Sequence, residues 1–311
     1  MSTEFSQIEW NGDVEEDCLQ LVRLAVREDL GREFDWTTVA LVDAQTLAQA
    51  AVVARKPGVI AGLRAAQVVL DEMDQRTRWT PHVDDGAKVE AGTVVATVAG
   101  PARTLLTSER LILNFVGHLS GIATLARKYV AAVAATKARI YDTRKTTPGW
   151  RRLEKYAVRM GGASNHRTGL FDAILIKDNH LALGAAGGTH AEQARFSPAE
   201  AVLKARRFLA QLPPEDARPE MLVEVEVDTL EQLDLVLPAR PDIVLLDNMS
   251  TADLSAAVHR RDEIDRAVQL EASGGVNLST VAAIARTGVD RISVGALTHS
   301  AEWFDVGLDW R

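Results

Sequence analysis

Arginine, lysine and histidine cluster between residues 142 and 180 of this 311-residue chain, at spacings that suit a small, multiply anionic ligand. Arg144 and Lys145 directly follow the run ARIYDT, and Thr-Thr-Pro-Gly then breaks the chain into a loop. Asn165-His166-Arg167 gives a second polar tip behind Met160-Gly161-Gly162, and Lys177 ends the run AILIK. A planar guanidinium matches a carboxylate through two parallel N–H···O bonds, while lysine acts as a movable point charge. Cations gathered at strand ends repel one another unless an anion sits among them. Arg144, Lys145, Arg167 and Lys177 therefore read as ligand-binding, whereas Arg151, Arg152, Lys155 and Arg159 read mostly as a solvated helix face.

Carboxylates follow in another pattern. In LVEVEVD the two-residue period of a strand sets Glu224, Glu226 and Asp228 on one face and Val223, Val225 and Val227 on the other. With the valines against covering helices the acids point inward, where an unpaired carboxylate is costly. They need cations, a metal or ligand hydroxyls, and ion pairs to Lys177 or Arg144 would serve before a ligand arrives. Asp247, at the end of DIVLLD, is a second such acid. Mg2+ held through water, or ribose hydroxyls, would satisfy them. Ser273-Gly274-Gly275 and Val294-Gly295-Ala296 end the final two apolar runs, and loops at that position of a barrel commonly hold a phosphate on backbone N–H groups. His118, His180 and His299 lack zinc-ligand spacing. His118 reads as core packing, and His180 as ordering the loop after Lys177.

These residues need a scaffold, and the sequence outlines one. Residues 14–30 form an amphipathic helical pattern ended by Gly31, residues 49–61 a strand, a Lys-Pro-Gly turn and a second strand, and residues 83–100 short hairpins. The texture changes after about residue 107, where a helix is expected to start with Ser108 as its N-cap. Six apolar runs follow (ARIYDT, DAILIKDN, LVEVEV, DIVLLDN, QLEASGG and RISVGA), with helical patterns at 197–212, 229–237, 251–259 and 278–286. Alternating strands and helices imply a parallel sheet, and polar residues at so many strand ends favour a barrel, short of eight strands, over an open doubly wound sheet. The apolar fraction of 47% and charged fraction of 25% belong to an ordinary globular protein. A net charge of −8 argues against a general nucleic-acid binder and requires cationic contacts to be local. No stretch suits a membrane span, the acidic N-terminus lacks a signal pattern, and the single cysteine, Cys18, suits a reducing cytoplasm.

Together these segments resemble the quinolinate phosphoribosyltransferase family over nearly the whole chain: EDLGREFDWTT, ARKPGVIAGL, TSERLILNFVGHLSGIAT, DTRKTTPG, GGASNHR, ILIKDNH, VEVEVDTLEQL, LLDNM, EASGGVN and ISVGALTHSA. The resemblance implies an N-terminal α/β sandwich over residues 1–125, joined by a tail at 298–311, and an incomplete α/β barrel over 126–297 with its active site at the strand C-termini. It implies a homodimer in which Arg110, in TSER, reaches the partner's site. Quinolinate would be held by Arg144, Arg167 and Lys177, with Thr143, Lys145 and His166 alongside. Glu226 and Asp247 match acids that bind Mg2+ and the ribose of phosphoribosyl pyrophosphate, and Lys145 and Lys177 join them as catalytic residues. Ser273, Gly274, Gly275, Gly295, Ala296 and Leu297 match the 5′-phosphate loops. The implied reaction gives nicotinate mononucleotide, pyrophosphate and CO2 and needs no organic cofactor. The connection at 181–198 is longer than usual and reads as a surface insertion rather than a lid, and Trp150 and Ala163 replace commoner leucine and glycine. A related protein of molybdenum-transport operons shares the fold, but the intact TRK, NHR and IKDNH set argues against it. The complete set of charged positions argues against a catalytically silent paralogue.

Overall fold

The structure, a computed structural model, describes residues 4–184, 196–216, 218 and 221–311. The expected insertion at 181–198 therefore falls largely outside the described residues. The chain divides into two compact units, one drawn from Ile8–Lys128, Lys145–Ala163 and Gly295–Arg311, the other from Met1–Gln7, Tyr129–Arg144 and Ser164–Val294. Among the described residues no helix is long and apolar enough to cross a membrane.

The first unit opens with helix Gly12–Leu30. Asn11 caps it by accepting the Val14 N–H at 3.1 Å, and Gly31 ends it at φ 60°, where a residue without Cβ meets no strain. Val14, Cys18 and Val22, one turn apart, are its buried stripe. Strands β1 (Leu47–Ala54), β2 (Gly58–Val59), β3 (Arg78–Pro81), β4 (Lys88–Val89) and β5 (Val94–Pro101) follow. β5 pairs antiparallel with β1 and β3, and β2 with β4. Val52, Ala54, Ile60, Val95 and Phe304 meet in the buried core beside this sheet. The long helix that follows spans Ala102–Val133, so the expected start at Ser108 is corrected. Ser108 is fully buried, and its hydroxyl donates back to the Leu105 carbonyl at 3.3 Å, as a serine inside a helix can. The helix Arg151–Met160 also belongs here, and its Lys155 is fully buried rather than part of a solvated face.

The second unit contains β6 (Arg139–Tyr141), β7 (Ala173–Ile176), β8 (Leu222–Val227), β9 (Ile243–Asp247), β10 (Gln269–Ser273) and β11 (Arg291–Ser293). All pair in parallel in the order β6-β11-β10-β9-β8-β7. The order climbs from β7 to β11 without reversal, and β6 then joins behind β11. A doubly wound sheet reverses at a switch point; this one curls toward closure and stops at a seam between β6 and β7. It is an incomplete α/β barrel. Helices Pro198–Ala210, Leu230–Val236, Thr251–Ile264 and Val281–Arg286 alternate with the strands, as parallel crossovers demand.

Burial along β8 shows which way its acids point. Val223, Val225 and Val227 are buried throughout, while Glu224 is fully buried, Glu226 half-buried and Asp228 exposed. The alternation puts the acids on one face, and their exposure rises toward the strand's C-terminal mouth. At the opposite end, Phe5 packs with Ala173, Leu222 and Ile243, the first residues of β7, β8 and β9. Back in the first unit, β12 (Val306–Trp310) completes the sheet by pairing antiparallel with β1.

Candidate active site

The cationic side of the barrel unit is assembled on Asp142, just past the end of β6. Its buried carboxylate accepts the backbone N–H of His166 at 2.8 Å and the Asn165 side-chain amide at 2.7 Å. Its own N–H donates to the Ser164 carbonyl at 3.1 Å. The segment Ser164–Arg167 is thereby fastened along the open seam, which places Arg167 beside Arg144. Arg167 is only 7% exposed, and its guanidinium donates to the Ala173 carbonyl at 3.3 Å. Burial foremost, then the like charge of Arg144, holds Arg167 below the usual arginine range, with Glu224 and Asp172 opposing. The two guanidiniums thus sit within each other's field, the arrangement that a bound polyanion relieves. Thr143, half-buried, precedes them on the same strand end.

The acids lie across the mouth. Lys177, after β7, forms an ion pair with Glu226 at the end of β8. That is the pairing expected of an inward acid before ligand arrives. The Lys177 backbone N–H donates to His180 Nδ1 at 3.0 Å, so His180 does order this turn. Asp247, at the end of β9, accepts from the Asn248 side chain at 2.6 Å. Asn248 itself sits at φ 53°, with its N–H donating to the Ser273 carbonyl at 2.9 Å. Its amide fills the space next to Gly274 (φ 91°), where any Cβ would collide with it. Glycine is required there by both conformation and room. Glu226 and Asp247 end neighbouring strands, and their hard oxygen donors fit a Mg2+ ion that keeps most of its ligands from water and phosphate. Asn248 was not singled out from sequence, although an Asn directly after a strand-end acid is a readable signal.

The remaining candidates belong to the other unit. Lys145, exposed, has its carbonyl held by the Thr298 hydroxyl at 2.7 Å. A Cβ on Gly295 would come within 3.1 Å of both the Lys145 chain and His299 Nε2, so these three residues are neighbours. The loop after Lys145 is pinned by Glu154, which accepts the Thr147 N–H at 3.1 Å and faces His118 Nε2 at 3.0 Å. His118 is thus a polar partner rather than plain core packing, and His299 lies beside Gly295. Ala296 and Leu297 form the short turn after Gly295. Arg110 lies exposed on the long helix Ala102–Val133.

Two neighbouring arginines, strand-end acids and a glycine turn carried on one incomplete barrel are the features of an α/β-barrel enzyme. Residues 35–120 match the model of the quinolinate phosphoribosyl transferase N-terminal domain, and residues 122–309 that of the C-terminal domain. The chain is 48% identical over 93% of its length to the nicotinate-nucleotide pyrophosphorylase [carboxylating] of Mycobacterium leprae, covering 95% of that protein. It is 36% identical over 94% of its length to a quinolinate phosphoribosyltransferase [decarboxylating] of Nicotiana tabacum, covering 82% of it. The solved nicotinate-nucleotide pyrophosphorylase of Francisella tularensis superposes with a TM-score of 0.86 at 36% identity, covering 99% of this chain and 100% of that one. The chain belongs to the quinolinate phosphoribosyltransferase family.

Proposed function

We propose that this enzyme joins quinolinate to the ribosyl group of phosphoribosyl pyrophosphate and decarboxylates the product, giving nicotinate mononucleotide for NAD biosynthesis. The carrying observation is the Arg144–Arg167 pair, two guanidiniums within each other's field. Quinolinate, with carboxylates on adjacent ring carbons, supplies the two anions that pair needs. The named relatives, carboxylating pyrophosphorylases and decarboxylating transferases, support the same reading.

The chemistry follows from the residues. Arg144 and Arg167 orient the dicarboxylate, with Thr143, Lys145 and His166 alongside. The ring nitrogen lone pair attacks C1 of the ribosyl group as the bond to pyrophosphate breaks. Glu226 and Asp247 bind the ribose hydroxyls and favour the cationic character that develops at C1. Once the nitrogen is positive, the adjacent carboxylate leaves as CO2, because the electron pair left on the ring carbon faces N+ and is then protonated. Lys177, now exchanging Glu226 for substrate, and Lys145 supply positive charge through these steps. Mg2+, held by Glu226 and Asp247 mainly through water, would neutralise the departing pyrophosphate. Ser273, Gly274, Gly275 and the turn Gly295-Ala296-Leu297 bind the 5′-phosphate through backbone N–H groups. The working form is a homodimer with Arg110 contributed to the partner's site, acting in the cytoplasm.

Replacing Arg144 by alanine tests the reading. Quinolinate-dependent CO2 release should fall by roughly two to four orders of magnitude, as when a charge-assisted clamp and its positioning are both lost. Release near the wild-type rate overturns it. Mixing Arg110→Ala and Lys177→Ala chains tests the dimer: heterodimers should recover part of the activity, and heterodimers with none count against a shared site.

A further inference from the structure

Glu224, Glu271 and Arg291 are each at most 1% exposed, yet none has a part in the reaction as assigned above. Glu224 comes from β8 and Glu271 from β10, and alternate strands fill the same layer of a barrel interior. His166 reaches the layer from the seam. Its Nε2 lies 3.0 Å from Glu224 Oε2 and 3.5 Å from Glu271 Oε1. Behind them Arg291 Nε stands 3.2 Å from Glu271 Oε2, and its guanidinium lies 3.9 Å over the Tyr141 ring. Phe5 closes the cluster, with its ring 4.2 Å from that of His166.

The ligand atoms of His166, Glu224 and Glu271 are close enough together to hold a metal ion. The imidazole rules that out. The backbone N–H of Arg167 donates to His166 Nδ1 at 2.8 Å, so Nδ1 carries the lone pair and the ring proton is on Nε2. A metal would need the lone pair at Nε2; instead the protonated Nε2 lies within ion-pair distance of two carboxylates. Burial foremost pushes the Glu271 carboxyl above the usual carboxylate range, with Glu224 helping and Arg291 opposing. Glu224 also supports the Arg167 cation.

We propose that Glu224, backed by Glu271 and Arg291, is a positioning residue for the dicarboxylate pocket: it locks His166 as the neutral ring protonated on Nε2, and so fixes the Arg167 backbone that donates to Nδ1. The inference rests on the assignment of Arg144 and Arg167 to quinolinate. It is distinct from that assignment, because the state of the imidazole can be read without substrate.

Long-range 1H–15N correlation on the full chain with 15N-labelled histidine reads each ring nitrogen directly, the His166 signals being those lost in His166→Gln. Between about pH 6 and 8 the wild type should show a pyrrole-type Nε2 and a pyridine-type Nδ1, whereas an unconstrained imidazole titrates in that range. A proton on Nδ1, or an imidazolium at neutral pH, overturns the proposal. In kinetics, Glu224→Ala should raise KM for quinolinate at least ~10-fold and KM for phosphoribosyl pyrophosphate by less than ~3-fold, the scale of losing a group that orients a binding residue. Glu224→Gln, which keeps an acceptor oxygen, should restore most of the loss. Equal rises in both KM values, or a glutamine variant as impaired as alanine, also overturn it. If Arg144→Ala were harmless while the His166 spectrum stood as expected, the substrate assignment would fail and the tautomer lock would survive.

Discussion

Asp142→Asn is the smallest change that should disconnect the anion pocket from its scaffold. One carboxylate oxygen accepts the His166 N–H at 2.8 Å and the other accepts the Asn165 amide at 2.7 Å, in a fully buried place. Both neighbours are donors. An asparagine has one acceptor oxygen, so in either orientation its NH2 meets a donor. Leaving one buried donor unmet costs about 1–3 kcal/mol, and removing charge assistance from the other bond adds about 1 kcal/mol, for a total of roughly 2–4 kcal/mol. That is smaller than the ~5–15 kcal/mol stability of a typical domain, so the variant should fold. The segment carrying Arg167 would be free to shift, and a displacement near 1 Å can cost about 100-fold in rate. Urea denaturation and steady-state kinetics on the same preparation give both numbers. The expected result is a stability loss of roughly 2–4 kcal/mol with kcat/KM for quinolinate down about 100-fold. A variant that folds with unchanged stability and keeps kcat/KM within about 3-fold would refute the argument that Asp142 sets the pocket.

Three further outcomes are expected. Gly274→Ala forces a Cβ into the Asn248 side chain at φ 91°, so KM for phosphoribosyl pyrophosphate should rise well beyond that for quinolinate; equal effects on both would count against the phosphate turn. Phe5→Ala removes a ring that is 4% exposed and should cost about 3 kcal/mol, read by denaturation, and a loss below about 1 kcal/mol would show that the site collapses around it. Burial foremost, with the charge of Glu15, pushes the Cys18 thiol up to about 12, so native protein at pH 8 should resist iodoacetamide, and rapid labelling would contradict the buried helix face.

Much of this was legible in sequence because barrel strands announce themselves. Each of the six apolar runs became a strand, and the alternation in LVEVEVD placed its acids on one face. Alternation does not report depth, however. Glu224 and Glu226 read alike in sequence, yet one is sealed in the barrel and the other pairs with Lys177 near the mouth. The partners of Glu224 come from Glu271, Arg291 and His166, all distant in the chain, and no local spacing connects them. Phe5 had no periodic context to mark it as a core residue. Ser108 misled because Ser-Glu before an apolar run looks like a cap, whereas the helix had already begun at Ala102. Lys155 misled in a similar way, since a charged residue in a basic helix is normally solvated and this one is fully buried.

The central claim is that two guanidiniums grip two carboxylates, and calorimetric titration with quinolinate and with nicotinate tests it most directly. The two ligands share the pyridine ring and differ by one carboxylate. A charge-assisted hydrogen-bonded contact is worth about 1.5–3 kcal/mol, so quinolinate should bind roughly 10- to 100-fold more tightly than nicotinate. Equal affinity for the two would contradict a pocket built by Arg144 and Arg167 for a dicarboxylate.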